Sequence, residues 1–382
     1  MIYFDNSATT RPADEVTDRM MKVLKQDFGN PSSLHRLGVD AEKYLDAGRK
    51  VVSEMLGAAP EEIWFNSGGT EGDNTVLFGV SETLKHQGRR IITTKAEHPA
   101  VLEACRVLEH RGFEVEYLDV DDQCRPDLEQ LRDLVNEETI LVSMMAVNNE
   151  TGTIFPIRDA CRITREKSAG KALFHTDAVQ AFGKLDLRGS DVDFLTLSGH
   201  KIHGPKGVGA LYVRKGIHLP ALIVGGGQEK NHRSGTENVP GIAGLGKACE
   251  LIREDPEEGN RRMSAVRARL LEGIRAEIPD ILINSPEDGA ASVLNISFLG
   301  TRGEVILHTL EQQGIYVSTG SACSSNKKGQ SHVLQAMGRS SREIEGTIRF
   351  SFSRYNTEEE AEQTVDCLKQ AVTRFRRLGS FR

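Results

Sequence analysis

The chain has 382 residues, 48 Lys+Arg against 55 Asp+Glu for a formal charge of −7, and 38% hydrophobic residues. That length can bury a real core in one or two domains, and the charge balance gives no overall basic field for nucleic acid. No apolar run reaches membrane-spanning length and the first residues lack the pattern of a secretory leader, so a cytoplasmic globular protein is expected, and disordered, collagenous and membrane classes are excluded.

In chain order, an extended stretch comes first, then a helix near Ala13–Lys25. Short apolar runs at 63–65, 90–94, 114–118, 140–147, 172–175, 192–197 and 208–213 read as strands. Helical patterns at 71–86, 100–111, 128–135 and 159–168 lie between most of them. This alternation predicts βαβ units and a mostly parallel, buried sheet. The last three strands lack long helical spacers, so an antiparallel edge strand is expected. Helices at 239–253 and 261–278 follow, then a second α+β set from a strand at 291–298 to a helix at 357–377.

Four segments carry chemical signals. Lys201, in Ser198-Gly199-His200-Lys201-Ile202-His203, follows directly on a buried strand. A lysine there is costly unless its amine is paired or covalently engaged with a cofactor aldehyde; the alternative is an exposed loop lysine. Asn66-Ser67-Gly68-Gly69-Thr70-Glu71-Gly72 joins a strand to a helix, and its glycines let backbone N–H groups face one phosphate, or else form an ordinary N-cap. Asp177, in His175-Thr176-Asp177-Ala178-Val179-Gln180, ends a strand where it can hold a pyridinium N–H or cap a helix. His98, in Ala96-Glu97-His98-Pro99, can stack on a ring and shuttle protons, or stand solvated. Six cysteines show no CxxC pair, and two histidines three apart at 200 and 203 make no metal site, so no metal is expected.

Together these segments resemble the fold-type I pyridoxal-phosphate enzymes and, within them, the NifS/IscS-like cysteine desulfurases of the class-V aminotransferase group. The resemblance runs from Tyr3-Phe4-Asp5-Asn6-Ser7-Ala8-Thr9-Thr10 to Arg349-Phe350-Ser351-Phe352-Ser353-Arg354-Tyr355-Asn356. It takes in Gly29-Asn30-Pro31-Ser32-Ser33-Leu34-His35, Val147-Asn148-Asn149-Glu150-Thr151-Gly152 and Arg233-Ser234-Gly235-Thr236. It implies an α/β fold in which a large domain (15–255) holds a mostly parallel seven-stranded sheet. Residues 1–14 and 256–382 would form a smaller α+β domain.

The resemblance also implies pyridoxal 5′-phosphate as cofactor and conversion of L-cysteine to L-alanine with an enzyme persulfide. Lys201 would bond the cofactor aldehyde and move the Cα proton. Asp177 would pair with the pyridine nitrogen, Gln180 with the ring oxygen, and His98 would stack on the ring. Gly69, Thr70, Ser198 and His200 would hold the phosphate, and Asn149 would sit beside ring and substrate. Thr236 would reach the phosphate of a partner subunit, implying a homodimer. Arg349, with Asn30 and Asn149, would bind the substrate, its fork suiting a carboxylate.

Cys323, in Ser318-Thr319-Gly320-Ser321-Ala322-Cys323-Ser324-Ser325, is the implied nucleophile. Small residues on both sides predict an exposed loop, a poor place for a structural thiol. Arg349 follows it by 26 residues, the long spacing of the NifS/IscS-like group. An aminotransferase needs no such thiol, and a scaffold that only docks acceptors needs none of Lys201, Asp177, His98 and Arg349. Lys327 and Lys328 after the cysteine resemble members that feed tRNA thiolation. With Arg374, Arg376, Arg377 and Arg382 they predict a basic docking edge for a sulfur-acceptor protein, an iron–sulfur scaffold or a tRNA sulfurtransferase. No direct nucleic-acid contact and no membrane are expected.

Overall fold

The computed structural model describes residues 1–319 and 330–379. β1 (Ile2–Tyr3), α1 (Asp14–Lys25) and α2 (Arg36–Leu56) precede β2 (Ile63–Asn66) and α3 (Gly69–Leu84). Then come β3 (Arg90–Thr94), α4 (Pro99–His110), β4 (Glu114–Leu118), α5 (Leu128–Leu134), β5 (Thr139–Ser143), α6 (Ile157–Lys167), β6 (Leu173–Asp177), β7 (Phe194–Ser198) and β8 (Gly209–Val213). α7 (Val239–Glu254) and α8 (Pro256–Glu277) lead to β9 (Ile281–Ile283), β10 (Val293–Phe298), α9 (Gly303–Gln312) and β11 (Ile315–Tyr316). α10 (His332–Ala336), α11 (Ser341–Glu345), β12 (Thr347–Ser351) and α12 (Glu358–Gly379) close the order.

Seven strands form one sheet in the order β2-β8-β7-β6-β5-β3-β4, as the expected fold class requires. β8 runs antiparallel to both its neighbours and the other pairings are parallel. The antiparallel strand is therefore real but lies one place inside the edge, because β2 pairs beyond it. Alternate side chains of each strand enter two apolar layers. Ile63, Phe65, Phe174 and Leu195 join one, and Trp64, Phe194 and Leu211 join the other with α3 and α4. Burial on both faces explains why these strands read as continuous apolar runs.

The run 140–147 holds its strand only to Ser143. Met144–Val147 stay buried and run past the strand's end to wall the cleft, with Met144 N and Ala146 N still donating to His175 O and Asp177 O of β6 at 3.0 and 2.8 Å. α8 starts five residues before the pattern at 261, because Asp255 accepts from Glu258 N at 3.1 Å and Pro256 takes the first helical position. α2 has no counterpart in the sequence reading. Its buried residues Ala41, Leu45, Gly48, Val52 and Leu56 nevertheless follow the helical period. A left-handed Gly57 (φ 59°) ends it.

A second sheet, β12-β10-β9, is antiparallel and packs on α8, α9 and α12 through Leu270, Ile296, Phe298, Leu310, Phe350 and Leu368. The N-terminal stretch joins this interior: Ile2 and Phe4 are buried in it, and Ser351 N donates to Phe4 O at 2.7 Å. No helix among the described residues is long and apolar enough to cross a membrane.

Candidate active site

The carboxyl ends of the parallel strands supply most of the site, the usual location in such sheets. β2 runs into the turn at Ser67-Gly68 and then α3. Gly68 has φ 146°, which favours glycine, and no N-cap side chain takes the leading amides of α3. Gly69 is small for a packing reason, since a Cβ there would stand 2.7 Å from Val179 Cγ2. β6 ends at Asp177, whose Oδ1 accepts from Val179 N at 2.9 Å. β7 ends at Ser198, one short helical turn before Lys201. β3 leads to His98, which caps α4 by accepting from Ala100 N on Nδ1 at 3.1 Å.

The second sheet adds one side chain. On β12, Ile348 and Phe350 enter the apolar interior, while Arg349 lies on the other face and is 2% exposed. Its Nη2 donates to Asp5 Oδ1 at 2.9 Å and its Nη1 to Asn149 O at 3.1 Å. Its Nε has no partner among the described residues. A cleft of about 250 Å³ is lined by Ser7, Gly69, Thr70, Asp73, His98, Asn149, Asp177, Gln180, Ser198, His200, Lys201 and Arg349. Ten positions singled out in the sequence thus meet in one cleft.

Electrostatics there are set by burial. Burial pushes the Asp177 carboxyl up, and the charges of His98 and Lys201 with the Val179 N–H pull it back. Burial pushes His98 down, Asp177 opposes this, and Lys201 adds to it. With Nδ1 accepting from Ala100 N, the neutral His98 ring carries its proton on Nε2. His200 is held down at about 4, by burial first and Lys201 second, so it is a neutral donor or acceptor at physiological pH. Lys201 Nζ donates to the Ser7 and Ala8 carbonyls, the latter at 2.8 Å.

These groups fit pyridoxal phosphate. A carboxylate at the cleft floor suits a protonated pyridine nitrogen, uncapped helix amides beside Ser198 suit a phosphate, and a primary amine suits an aldehyde. Gln180 Oε1 is buried with no partner among the described residues, while its Nε2 donates to Ser7 O at 3.0 Å.

Two sequence candidates among the described residues, Asn30 and Thr236, do not line the cleft. Asn30 is exposed in a turn, its Oδ1 accepting from Ser32 N at 2.9 Å, so a substrate contact has no support from its position in this chain. Thr236 is exposed in a separate cavity of about 180 Å³ that borders the phosphate loop at Ser67. Arg233 Nε holds that segment to Glu71 Oε1 at 2.9 Å. Cys323 lies outside the described residues, as do Lys327, Lys328 and Arg382. Arg376 donates to the carbonyls of Leu299, Pro279 and Asp280 at 2.8–2.9 Å, so it secures the end of α12 and is not available for docking.

Sequence reasoning missed several polar residues around the cleft. Asp5 pairs with Arg349, and Glu97 accepts from Met145 N at 3.0 Å and from Thr94 Oγ1 at 2.9 Å beneath the His98 turn. Asp73 is buried in α3 with no hydrogen bond to its Oδ1 among the described residues, His175 Nε2 standing 3.5 Å away. His332 Nε2 lies 2.9 Å from Glu97 O. The available signals were a carboxylate directly before His98 and an acidic residue on the apolar face of α3.

Known proteins resemble this chain in sequence and fold. The class-V aminotransferase family model matches residues 2–364. The chain is 43% identical to a cysteine desulfurase IscS of Methanosarcina thermophila over 99% of this chain and 93% of the relative. Among solved structures, a NifS-like protein superposes with a TM-score of 0.91 at 41% identity, covering 97% of this chain and 99% of that one. A structure titled SspA in complex with cysteine superposes with a TM-score of 0.83 at 34% identity, covering 94% and 100%.

Proposed function

The chain belongs to the class-V aminotransferase family and, within it, to the cysteine desulfurases, and from that premise we propose how its own residues divide the work. It is a pyridoxal-phosphate enzyme that takes sulfur from L-cysteine, leaving L-alanine. The observation that carries this reading is the convergence of Lys201, Asp177, His98 and Arg349 on one cleft under the amino end of α3.

Bound there, the cofactor supplies an electron sink for the carbon that bears the substrate amine. Lys201 Nζ is the amine that holds its aldehyde and then carries the proton of the substrate Cα. Asp177 keeps a proton on the pyridine nitrogen, and the low affinity of His98 for a second proton fits a ring that stacks as a neutral base. The α3 amides at Gly69 and Thr70, with Ser198 and His200, hold the phosphate; Gln180 and Asn149 border the ring. Arg349 is already fixed by Asp5 and the Asn149 carbonyl, and its Nε edge is left for the substrate carboxylate. Cys323 is the proposed acceptor of the sulfur.

The acceptor of the persulfide sulfur is a protein serving iron–sulfur assembly or tRNA thiolation. Exposed Arg374 and Arg377 support a basic docking edge at the end of α12, with Arg376 removed from it. We also infer a homodimer: Phe28, Leu34 and Val224 are 68%, 100% and 81% exposed, apolar surface of a kind that marks interfaces, and Thr236 stands exposed where it could face a second copy. A cytoplasmic setting agrees with five described cysteines standing as free thiols.

The test is production of alanine and sulfide from L-cysteine in equal amounts with a thiol reductant present. Cys323→Ser should keep the cofactor bound and stop alanine formation. Wild-type rates in that variant would move the nucleophile elsewhere.

A further inference from the structure

Lys184 has no part in the site described above, yet it shares a cavity with Lys201. The cavity, about 40 Å³, shares Lys201 with the cofactor cleft as a lining residue and has room for only a few waters. Lys184 enters it from the turn after β6, Lys201 and His203 from the turn after β7, and Arg354 from the segment after β12.

We propose that Lys184 tunes the charge of Lys201 across this cavity, making the amine that must bond the cofactor aldehyde easier to free of its proton. The proposal rests on the assignment of Lys201 made above. The surroundings explain why such a counterweight is useful. Lys201 Nζ donates to two carbonyls and lies in the field of Asp177, and all three favour the ammonium form. An amine held that way is a poor nucleophile. A second cation nearby works against the ammonium, a known way of activating a lysine.

Lys184 is the group placed to do this. Among the described residues no carboxylate pairs with it and its Nζ has no hydrogen-bond partner; only its backbone is engaged, the carbonyl accepting from Asn260 Nδ2 at 2.6 Å and the N–H donating to Ala181 O at 2.9 Å. Burial first, and the Lys201 charge second, hold the Lys184 ammonium down to about 7. Repulsion between two charges acts on both, so the pair titrates as a unit.

The other charged neighbours do not replace it. His200 and His203 are both held near 4, chiefly by burial, and stay neutral at physiological pH. Arg354 donates to the carbonyls of Leu251 and Asp255 at 3.0 and 3.2 Å. The Asp255 carboxylate is exposed and caps α8.

The experiment uses the full-length chain freed of cofactor, as wild type, Lys184→Met and Lys184→Arg. The rate of pyridoxal phosphate capture is followed by absorbance across pH, and borohydride reduction with peptide mass analysis locates the bond. Below about pH 7, where Lys184 carries its charge, capture should be about tenfold slower in Lys184→Met than in wild type. Above about pH 7, where Lys184 is neutral, capture should be faster than wild type in Lys184→Arg, whose charge is permanent. Opposite changes in two variants cannot come from a general loosening of the fold. Equal profiles in all three chains, or changes of the same sign, overturn the proposal. A wild-type bond on a residue other than Lys201 overturns the underlying assignment instead, whatever the profiles do.

Discussion

At the carboxyl edge of the large sheet the buried side chains include Asp73, Glu97, His175, Asp177 and Ser198, whereas against β10 and β12 they include Phe4, Ile296, Phe298, Leu310 and Phe350. Both regions are removed from water to the same extent. In the second, each side chain contributes apolar area and dispersion contacts. In the first, burial raises the Asp177, Glu97 and Asp73 carboxyls and lowers His98, so the fold is working against the charge of those groups. Buried ionisable groups of that kind are kept for chemistry, not for stability. Arg349 is where the two regions touch, with apolar neighbours on one face of β12 and its guanidinium on the other.

The sharpest way to break this contrast is Lys201→Ala. Its position is predicted to matter only for chemistry, so turnover should fall by at least on the order of 10³-fold. Borohydride should then fix no cofactor on the chain, while the thermal midpoint of the cofactor-free protein stays close to wild type. A large loss of that midpoint would show that the lysine also supports the fold.

Phe298→Ala asks the converse question in the apolar interior. Phe298 is fully buried on β10, and truncation should cost about 3–5 kcal/mol of stability. At a temperature where the variant remains folded, KM for cysteine and cofactor retention should be unchanged. A tenfold rise in KM would mean that this interior positions Arg349 more tightly than the contrast allows.

Arg349→Lys tests the meeting point. Lysine keeps the charge but loses the fork, so Asp5, the Asn149 carbonyl and a substrate carboxylate cannot all be served. The value of kcat/KM for cysteine should fall about tenfold to a hundredfold, roughly 1.4–2.7 kcal/mol, mostly through KM. A fall in kcat alone would point to a role after binding.

The same contrast governs what could be read from the sequence. β3 coincides with its apolar run because both faces of the sheet are covered there, the partly buried edge strand β4 coincides with a run that alternates Glu with apolar residues, and α12 and α7 followed from the helical period. Lys201, Asp177 and His98 stood out because a charged or titratable residue directly after a buried strand breaks an apolar pattern. α2 went unread because Arg36, Asp40, Lys43 and Lys50 surround a narrow apolar stripe. Asp5 and Arg349 meet across the whole length of the chain, and no local spacing reports such a pair. Glu97 stands inside a noted motif, next to His98, and Lys184 four residues after Gln180, and their importance comes from what folds over them.

The smallest expected effect concerns Glu97, the buried carboxyl beneath the His98 turn. Burial pushes it up to about 8, despite hydrogen bonds from Met145 N and Thr94 Oγ1 that favour its charged form. In the unfolded chain an ordinary glutamate titrates near about 4.3. Between those values the folded protein keeps the proton and the unfolded chain has lost it. Stability attributable to this group therefore falls as pH rises through the window and levels off above about 8. The side-chain amide of a Glu97→Gln variant does not titrate, so that part of the fall should vanish. Its N–H₂ facing Met145 N–H lowers absolute stability at every pH, so the slopes are the quantities to compare, not the midpoints. Thermal unfolding of the cofactor-free protein at pH 5 and pH 8 should show the wild type losing more stability than the variant. Asp73 and Asp177 titrate in both chains but feel the Glu97 charge, so the difference between slopes reports Glu97 together with its coupling to them. Parallel slopes would mean that the two hydrogen bonds hold Glu97 charged at neutral pH, and the cleft would then carry one more negative charge than the burial argument assigns to it.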